Sequence, residues 1–180
     1  MAIAKGMTDR EWVIHEKARC LQRLLSSVME SVDDMRTSMI GYISKLAEEE
    51  SEGDPEIRHE REQYYLNVFN ISIPDDMEQT FLQSMVVQIC TYIESILKDI
   101  AKNKKQDKGL SMIESFYNHI QTEKNKSFGF ITNHISDWPR LHDMRNDIVH
   151  KGYTTQHLTQ AYIEKTIEEA RLFLKKVENV

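Results

Sequence analysis

The chain has 180 residues, a formal net charge of −6 and a hydrophobic fraction of 40%. Its length allows a single domain with its own core, while six Gly and three Pro are too few for a turn-rich all-β protein or a disordered chain. The negative net charge excludes indiscriminate coating of nucleic acid, which depends on an excess of Lys and Arg. Any contact with nucleic acid must therefore be local.

Two features of the sequence bear on the compartment. Residues 1–6 lack the apolar run of a signal peptide, and no stretch approaches the roughly 18 apolar residues of a membrane span. Cys20 and Cys90 lie far apart, each in an apolar helical pattern, so we expect two buried thiols rather than a disulfide. Together these features predict a cytoplasmic protein that does not enter a membrane.

The first third of the chain has a helical pattern. Apolar residues recur at spacings of three and four over residues 7–50, which predicts one long helix or two helices joined by a kink near Gly41. The acidic run at 48–52 and the Gly-Asp-Pro that follows end this pattern. Residues 58–69 indicate a short helix. Its predicted inward positions are Tyr64, Tyr65 and Val68, and those of the long helix are Val13, Cys20, Leu21, Leu24, Leu25, Val28, Met29, Val32, Met35, Met39, Ile43 and Leu46.

A second long helix is predicted over residues 77–102. The Pro-Asp-Asp before it is a start signal, and a broad apolar stripe runs along it. The lysine-rich run 102–109 closes with a Gly, which suits a helix C-terminus. A shorter helix is predicted over 111–121, followed by a turn with aromatic residues at 127–130.

The last part of the chain predicts two more helices. Asp137-Trp138-Pro139 opens the first, with Pro in the first turn where its missing N–H costs nothing, and Gly152 ends it. The second covers residues 157–177. The predicted fold is all-α: an antiparallel bundle of about five helices in a single domain, residues 1–180, with a long N-terminal helix and a core bundle over 77–177.

No common enzyme motif occurs in the chain. It has no Gly-rich phosphate loop, no Gly-x-Ser-x-Gly and no Cys-x-x-Cys. His134, His142 and His150 are spaced eight apart, too far along a helix to share one metal ion. We therefore predict no metal site and no cofactor.

The segment from Arg145 to His150, Arg-Asn-Asp-Ile-Val-His, is the one pattern that suggests chemistry. At about 100° per residue, Leu141, Met144 and Ile148 share the face that packs on the core. His150 then points roughly opposite to that face, and Asn146 lies about 40° from His150. The alternative explanation is an exposed polar helix end, with cationic side chains placed favourably near the C-terminal dipole.

This segment resembles the Arg-x(4–6)-His signature of HEPN domains, including the polar residue, here Asn146, that commonly follows the Arg. The resemblance covers roughly residues 77–177 and implies a helical bundle with the motif in its penultimate part. One departure concerns Tyr153. HEPN toxins partnered with small nucleotidyltransferases often show His-x-Tyr, whereas here two residues separate His150 from Tyr153, which argues against regulation by tyrosine modification.

The resemblance implies a metal-independent endoribonuclease whose site forms where two protomers meet, each supplying Arg145 and His150 as catalytic residues. Histidine exchanges protons near neutral pH, so His150 would act as base or acid, and Arg145 would contact the phosphate. Asn146 would orient His150 or contact RNA, and Lys151 would contact RNA. The implied partners are RNA, a second copy of the chain, and an antitoxin or effector protein in a toxin or antiviral system.

Two other functions stay open at this point. The first is a HEPN-like bundle that keeps the motif but serves as a dimerisation, nucleotide-binding or regulatory module. The second is a purely structural helical adaptor. Incubation with total RNA, beside a His150→Ala control, discriminates the enzyme from both.

Overall fold

The computed structural model describes residues 7–69, 72–101 and 112–179, so the lysine-rich run 102–109 lies outside the described residues. The described residues contain helices and no strand, which confirms the all-α prediction and the long N-terminal helix. The elements are α1 (Asp9–Ser51), α2 (Pro55–Val68), α3 (Ser72–Ile100), α4 (Met112–Glu123), a 3-10 turn (Ile131–Asn133), α5 (Trp138–Lys151) and α6 (Gln160–Glu178).

The chain forms two compact units. The first unit comprises Met1–Leu25 and Leu82–Val180, and the second comprises Ser26–Phe81. The second unit has fourteen Asp and Glu against four Lys and Arg, a net charge of −10, whereas the first has fifteen against nineteen, a net charge of +4. The overall charge of −6 is therefore divided unevenly, with the second unit negative and the first unit positive.

Helix α3 supplies much of the core of the first unit. A stretch of this helix, Pro74–Ile100, is long and apolar enough to cross a membrane, but half of the window that passes this test is buried inside the protein. Burial in the core accounts for the apolar composition of α3. Its fully buried side chains in the first unit include Leu82, Met85, Val86, Ile89, Ile93, Ile96 and Leu97.

The two cysteines, Cys20 on α1 and Cys90 on α3, lie in different environments. Its core-facing residues within the first unit include Ile14, Ala18 and Leu25. Cys20 lies about 200° around the helix from Ala18 and is exposed, whereas Cys90 on α3 is buried. Both thiols are free, as predicted, but the prediction that Cys20 is buried was wrong.

In the second unit, α2 begins at Pro55, three residues before the predicted start. The side chain of Asp54 accepts hydrogen bonds from the backbone N–H groups of Glu56 and Ile57, at 2.9 and 3.4 Å, and so caps the helix. No residue of α2 is buried. The prediction that Tyr64 and Val68 point inward was therefore wrong, since both side chains are more than half exposed.

Candidate functional site

The candidate site lies on α5, whose two ends are as predicted. Trp138 in the first turn is buried, and its indole Nε1 donates a hydrogen bond of 3.1 Å to Glu114 on α4. Gly152 follows the last turn with a φ of +88°, a left-handed conformation that L side chains rarely adopt, and its N–H donates to the carbonyl of Ile148. His150 is thereby fixed in the last turn of the helix.

The segment after α5 is held by a side chain of α3. The amide of Gln83 donates to the carbonyl oxygen of Thr154 at 3.3 Å and accepts from the N–H of Thr154 at 3.2 Å. Both backbone groups of this buried residue are thus satisfied by one side chain. The C-terminal end of α5 is consequently tied to the core helix of the first unit.

The motif side chains occupy the faces that helical geometry predicts. Leu141 and Met144 are fully buried and Ile148 is half-buried, while His150 is exposed. Two large apolar side chains near it in sequence are also exposed, Val149 at 51% and Tyr153 at 59%. A histidine with a core-packing role is excluded at position 150.

Asn146 connects two side chains of α5, and neither is His150. Its side-chain oxygen accepts a hydrogen bond of 3.0 Å from a guanidinium nitrogen of Arg145. Its amide nitrogen lies 3.3 Å from Nε2 and 3.4 Å from Nδ1 of His142. Within the chain, the expectation that Asn146 orients His150 is therefore not met, because the structure gives Asn146 other partners.

The contact with His142 is made through the ring face. The two ring nitrogens flank one carbon, so an amide pointing at a single lone pair would lie much nearer to one nitrogen than to the other. An in-plane approach at near-equal distances would force the amide nitrogen of Asn146 into that carbon, so these distances place it over the ring face. The ring of Trp138 lies on the same histidine, with centroids 5.9 Å apart and planes inclined by 31°. His142 is thus held between residues four positions before it and four positions after it.

His142 is the residue of the site that the sequence analysis missed. Trp138, His142, Asn146 and His150 follow one another at intervals of four, which places them along one ridge of the helix. The spacing is visible in the sequence. The argument against a shared metal ion concerns the distance from His142 to His150 and does not bear on contact between the side chains of His142 and Asn146.

Arg145 lies on a different side of the helix from His150. Their positions differ by five, which corresponds to about 140° around the axis. Arg145 is half-buried, and its positive charge lowers the pKa of the Cys90 thiol on α3 against the larger rise caused by burial. Among the described residues, no hydrogen bond or ion pair joins Arg145 to His150. One copy of the chain does not bring the two side chains together.

Lys151, predicted to contact RNA, forms an ion pair with Asp147, at 2.7 Å from the ammonium nitrogen to the carboxylate oxygen. The hydrogen bond to Asp147 raises the pKa of Lys151. Lys151 is nevertheless exposed, so its remaining donors face solvent.

No group of three His, Cys, Asp or Glu side chains within the described part of the chain is placed to hold a metal ion. In comparisons with known proteins, no family model, no curated protein and no solved structure matches this chain. The basis for proposing a function is thus the chemistry of its own side chains.

Proposed function

We propose that this protein is a metal-independent endoribonuclease that uses His150 and Arg145 at a site shared by two copies of the chain. The observation that carries the proposal is the exposure of His150 at a rigidly capped helix end, on the same helix as Arg145, whose guanidinium is held by Asn146. An exposed histidine with no internal partner among the described residues is available to exchange protons with a ligand.

The chemistry uses the 2′-hydroxyl of RNA as the nucleophile. A histidine takes the proton of the 2′-OH while this oxygen forms a bond to the adjacent phosphorus, and the bond from phosphorus to the 5′-oxygen breaks. A second histidine gives a proton to the leaving 5′-oxygen. The products are a 2′,3′-cyclic phosphate and a 5′-hydroxyl. Arg145, always charged and fork-shaped, stabilises the negative charge that builds up on the phosphate.

The positions of the side chains on α5 support a shared site. This reaction needs two proton-transfer groups and a nearby cation, but Arg145 and His150 diverge within one copy. A second copy of the chain would supply a second histidine for proton transfer and an Arg145 to lie near His150. The exposed side chains of Val149 and Tyr153 offer apolar surface for such a contact beside His150.

Two further observations support RNA as the substrate. The unit that carries α5 has a net charge of +4, which attracts a polyanion, although the whole chain is negative. Asn146 and His142 add polar groups along the same ridge as His150. The biological setting that we propose is a cytoplasmic toxin or antiviral defence protein, controlled by an antitoxin or effector partner.

A second candidate is a non-catalytic, HEPN-like module for dimerisation, nucleotide binding or regulation. The observation in its favour is that two polar side chains of the motif are already paired within the chain, Arg145 with Asn146 and Lys151 with Asp147. Such pairing gives these residues a structural use that needs no substrate.

Incubation of the purified protein with total RNA separates the two candidates. The wild type and a His157→Ala control, which removes another exposed histidine of the first unit, are expected to cleave, and His150→Ala is not. Intact RNA in all three reactions, with a stable dimer in solution, would support the non-catalytic module.

A further inference from the structure

The second unit carries a row of four aromatic side chains that joins α1 to the end of α2. The ring centroids of Tyr42 and Phe69 are 5.9 Å apart, those of Phe69 and Tyr65 are 5.8 Å apart, and those of Tyr65 and Tyr64 are 5.4 Å apart. We call these four residues the aromatic row. Tyr42 and Tyr64 are each 55% exposed and Phe69 is 38% exposed, so the row presents ring surface to solvent.

Helix α2 is unusually exposed for a helix of 14 residues, because none of its residues is buried. Helices of this length gain most of their stability from packing an apolar face. The contacts between α2 and α1 that are described are largely polar, such as an ion pair of 2.6 Å between Arg58 and Glu48 and a hydrogen bond of 2.9 Å from Ser44 to Glu62. The exposed side chains of Ile57, Tyr64 and Val68 on α2 are therefore available to another molecule.

Fourteen of the eighteen Asp, Glu, Lys and Arg side chains of the second unit are carboxylates. Every Lys and Arg of the second unit already contacts a carboxylate: Arg36 with Asp33, Asp75 and Glu78, Lys45 with Glu49, Arg58 with Glu48 and Glu62, and Arg61 with Glu50. Glu60 and Glu56 precede Tyr64 by one and two turns on the same ridge of α2, are exposed, and form no ion pair with a described residue. The free charge offered to a partner at this surface is negative.

We propose that the aromatic row and the carboxylates around it bind an Arg- and Lys-rich segment of a partner protein. Guanidinium and ammonium groups bind the faces of Tyr and Phe rings, and Arg also forms paired hydrogen bonds with carboxylates. The row and its carboxylates offer both kinds of contact side by side. This inference does not depend on ribonuclease activity.

The net charge of −10 argues against other occupants of this surface. RNA and anionic membranes would be repelled. A second copy of the chain docked through the same surface would place two strongly negative units against each other, with carboxylates facing carboxylates. A basic polypeptide is the class of partner whose charge complements the surface.

The test selects peptides on the full-length protein from a random library of displayed 15-residue sequences. Each selected peptide is then measured on three proteins: the wild type, a Tyr42→Ser and Tyr64→Ser double variant, and a Phe130→Ser control. Phe130 is 79% exposed and belongs to the first unit, so its replacement removes exposed aromatic surface without touching the row. Circular dichroism establishes that the double variant keeps its helical content.

Selected peptides are expected to be rich in Arg with interspersed apolar residues, and to bind the double variant about tenfold more weakly than either the wild type or the control. The proposal is overturned if the selected peptides are acidic or uncharged, if they bind the double variant as tightly as the wild type, or if no peptide is enriched. Self-association of the free chain that the double variant abolishes would also overturn it, in favour of a second copy as the occupant.

Discussion

The side-chain amide of Asn146 lies against the ring of His142, one turn earlier on α5, while its oxygen accepts a hydrogen bond from Arg145. The three side chains form a continuous series in which each limits the freedom of the next. Since Trp138 covers His142 as well, the series is anchored in the core of the first unit. The orientation of Arg145 at the proposed site thus depends on a histidine outside the motif.

Replacing His142 by Ala should reduce RNA cleavage about tenfold without abolishing it. Asn146, the partner of Arg145, would no longer be held in place, but Arg145 would keep its charge. His142→Phe should restore most of the activity, since the contact with Asn146 uses the ring face. Steady-state kinetics on a short RNA measure both effects.

The contact between His142 and Asn146 can also be tested by NMR, which does not depend on RNA cleavage. The ring current of His142 should shift the side-chain amide resonances of Asn146, and His142→Ala should return them to ordinary positions while His150→Ala leaves them in place. Unchanged Asn146 resonances in His142→Ala would show that the series does not exist in solution.

The two motif residues should separate activity from stability. His150→Ala is expected to eliminate cleavage and to change the free energy of unfolding by no more than about 0.5 kcal/mol, because the side chain is exposed. Arg145→Ala should also eliminate cleavage but cost about 1 kcal/mol, since its hydrogen bond to Asn146 is lost. Urea titrations give the stabilities. Unfolding of His150→Ala under native conditions would instead assign a structural role to this residue.

The cleavage reaction should continue in EDTA and leave a 2′,3′-cyclic phosphate. In the proposed mechanism the nucleophile is the 2′-OH of the substrate, held next to the phosphorus, so no metal-bound hydroxide takes part. A substrate with a 2′-deoxy sugar at the cleavage site should therefore resist. Mass spectrometry of the RNA fragments identifies the ends, and a strict requirement for magnesium or cleavage of DNA at a similar rate would refute the mechanism.

The two cysteines should differ in reactivity. Burial raises the pKa of the Cys90 thiol to about 12, so this thiol is protonated at pH 8 and shielded, whereas Cys20 is exposed. A maleimide or iodoacetamide should add once per native chain and twice in denaturant, as read by intact-mass spectrometry. The Cys20→Ser variant serves as control and should gain no adduct before unfolding.

Alkaline pH should destabilise the protein in part through Tyr117. Burial raises the pKa of Tyr117 from 10.0 to about 12, so between these values the unfolded chain releases a proton that the folded chain keeps. The stability associated with this group is fully present below pH 10 and falls as the pH rises towards 12. Thermal melts at pH 7 and above pH 10 follow the effect.

The Tyr117→Phe variant isolates this contribution. The hydroxyl of Tyr117 is buried and has no hydrogen-bond partner among the described residues, so its removal should leave stability at pH 7 unchanged or slightly higher. The variant should lose less stability than the wild type on going above pH 10. A part of the loss should persist, because the pKa of the buried thiol of Cys90 is also raised.

Local signals in the sequence predicted most helix positions. Pro139 and Gly152 bracket α5 because a proline in the first turn and a left-handed glycine after the last turn follow from backbone chemistry. The predicted start of α2 is three residues late, because Gly-Asp-Pro is typical of the end of a helix such as α1, while Asp54-Pro55 also caps and begins the next one. Periodicity predicted the existence of α6, but the helix begins at Gln160, three residues after the expected start. Thr159 caps it, with its hydroxyl accepting a hydrogen bond from the N–H of Tyr162.

Burial was harder to predict than helices. Helical spacing shows which face of a helix is apolar, but it does not show whether another element covers that face. Leu24 and Cys20 match the apolar pattern of α1, yet both are exposed. At the site, helical angles predicted the exposure of His150 correctly, but they did not identify His142 as a neighbour of Asn146. The angle between Asn146 and His150 around the helix does not show which side chain the Asn146 amide contacts. The interval of four from His142 to Asn146 brings these two side chains together.

The two bonds between Gln83 and Thr154 run from a side chain to a backbone, and this has a consequence for sequence comparison. Any residue at position 154 offers the same N–H and carbonyl except proline, so the contact constrains the identity of position 83 and leaves that of position 154 free. Among relatives of this chain, position 83 should retain glutamine wherever the backbone of the segment after α5 follows the same path. Correlated substitution between the two positions should be weak, and a covariation analysis would overlook a contact that holds the end of α5 in place.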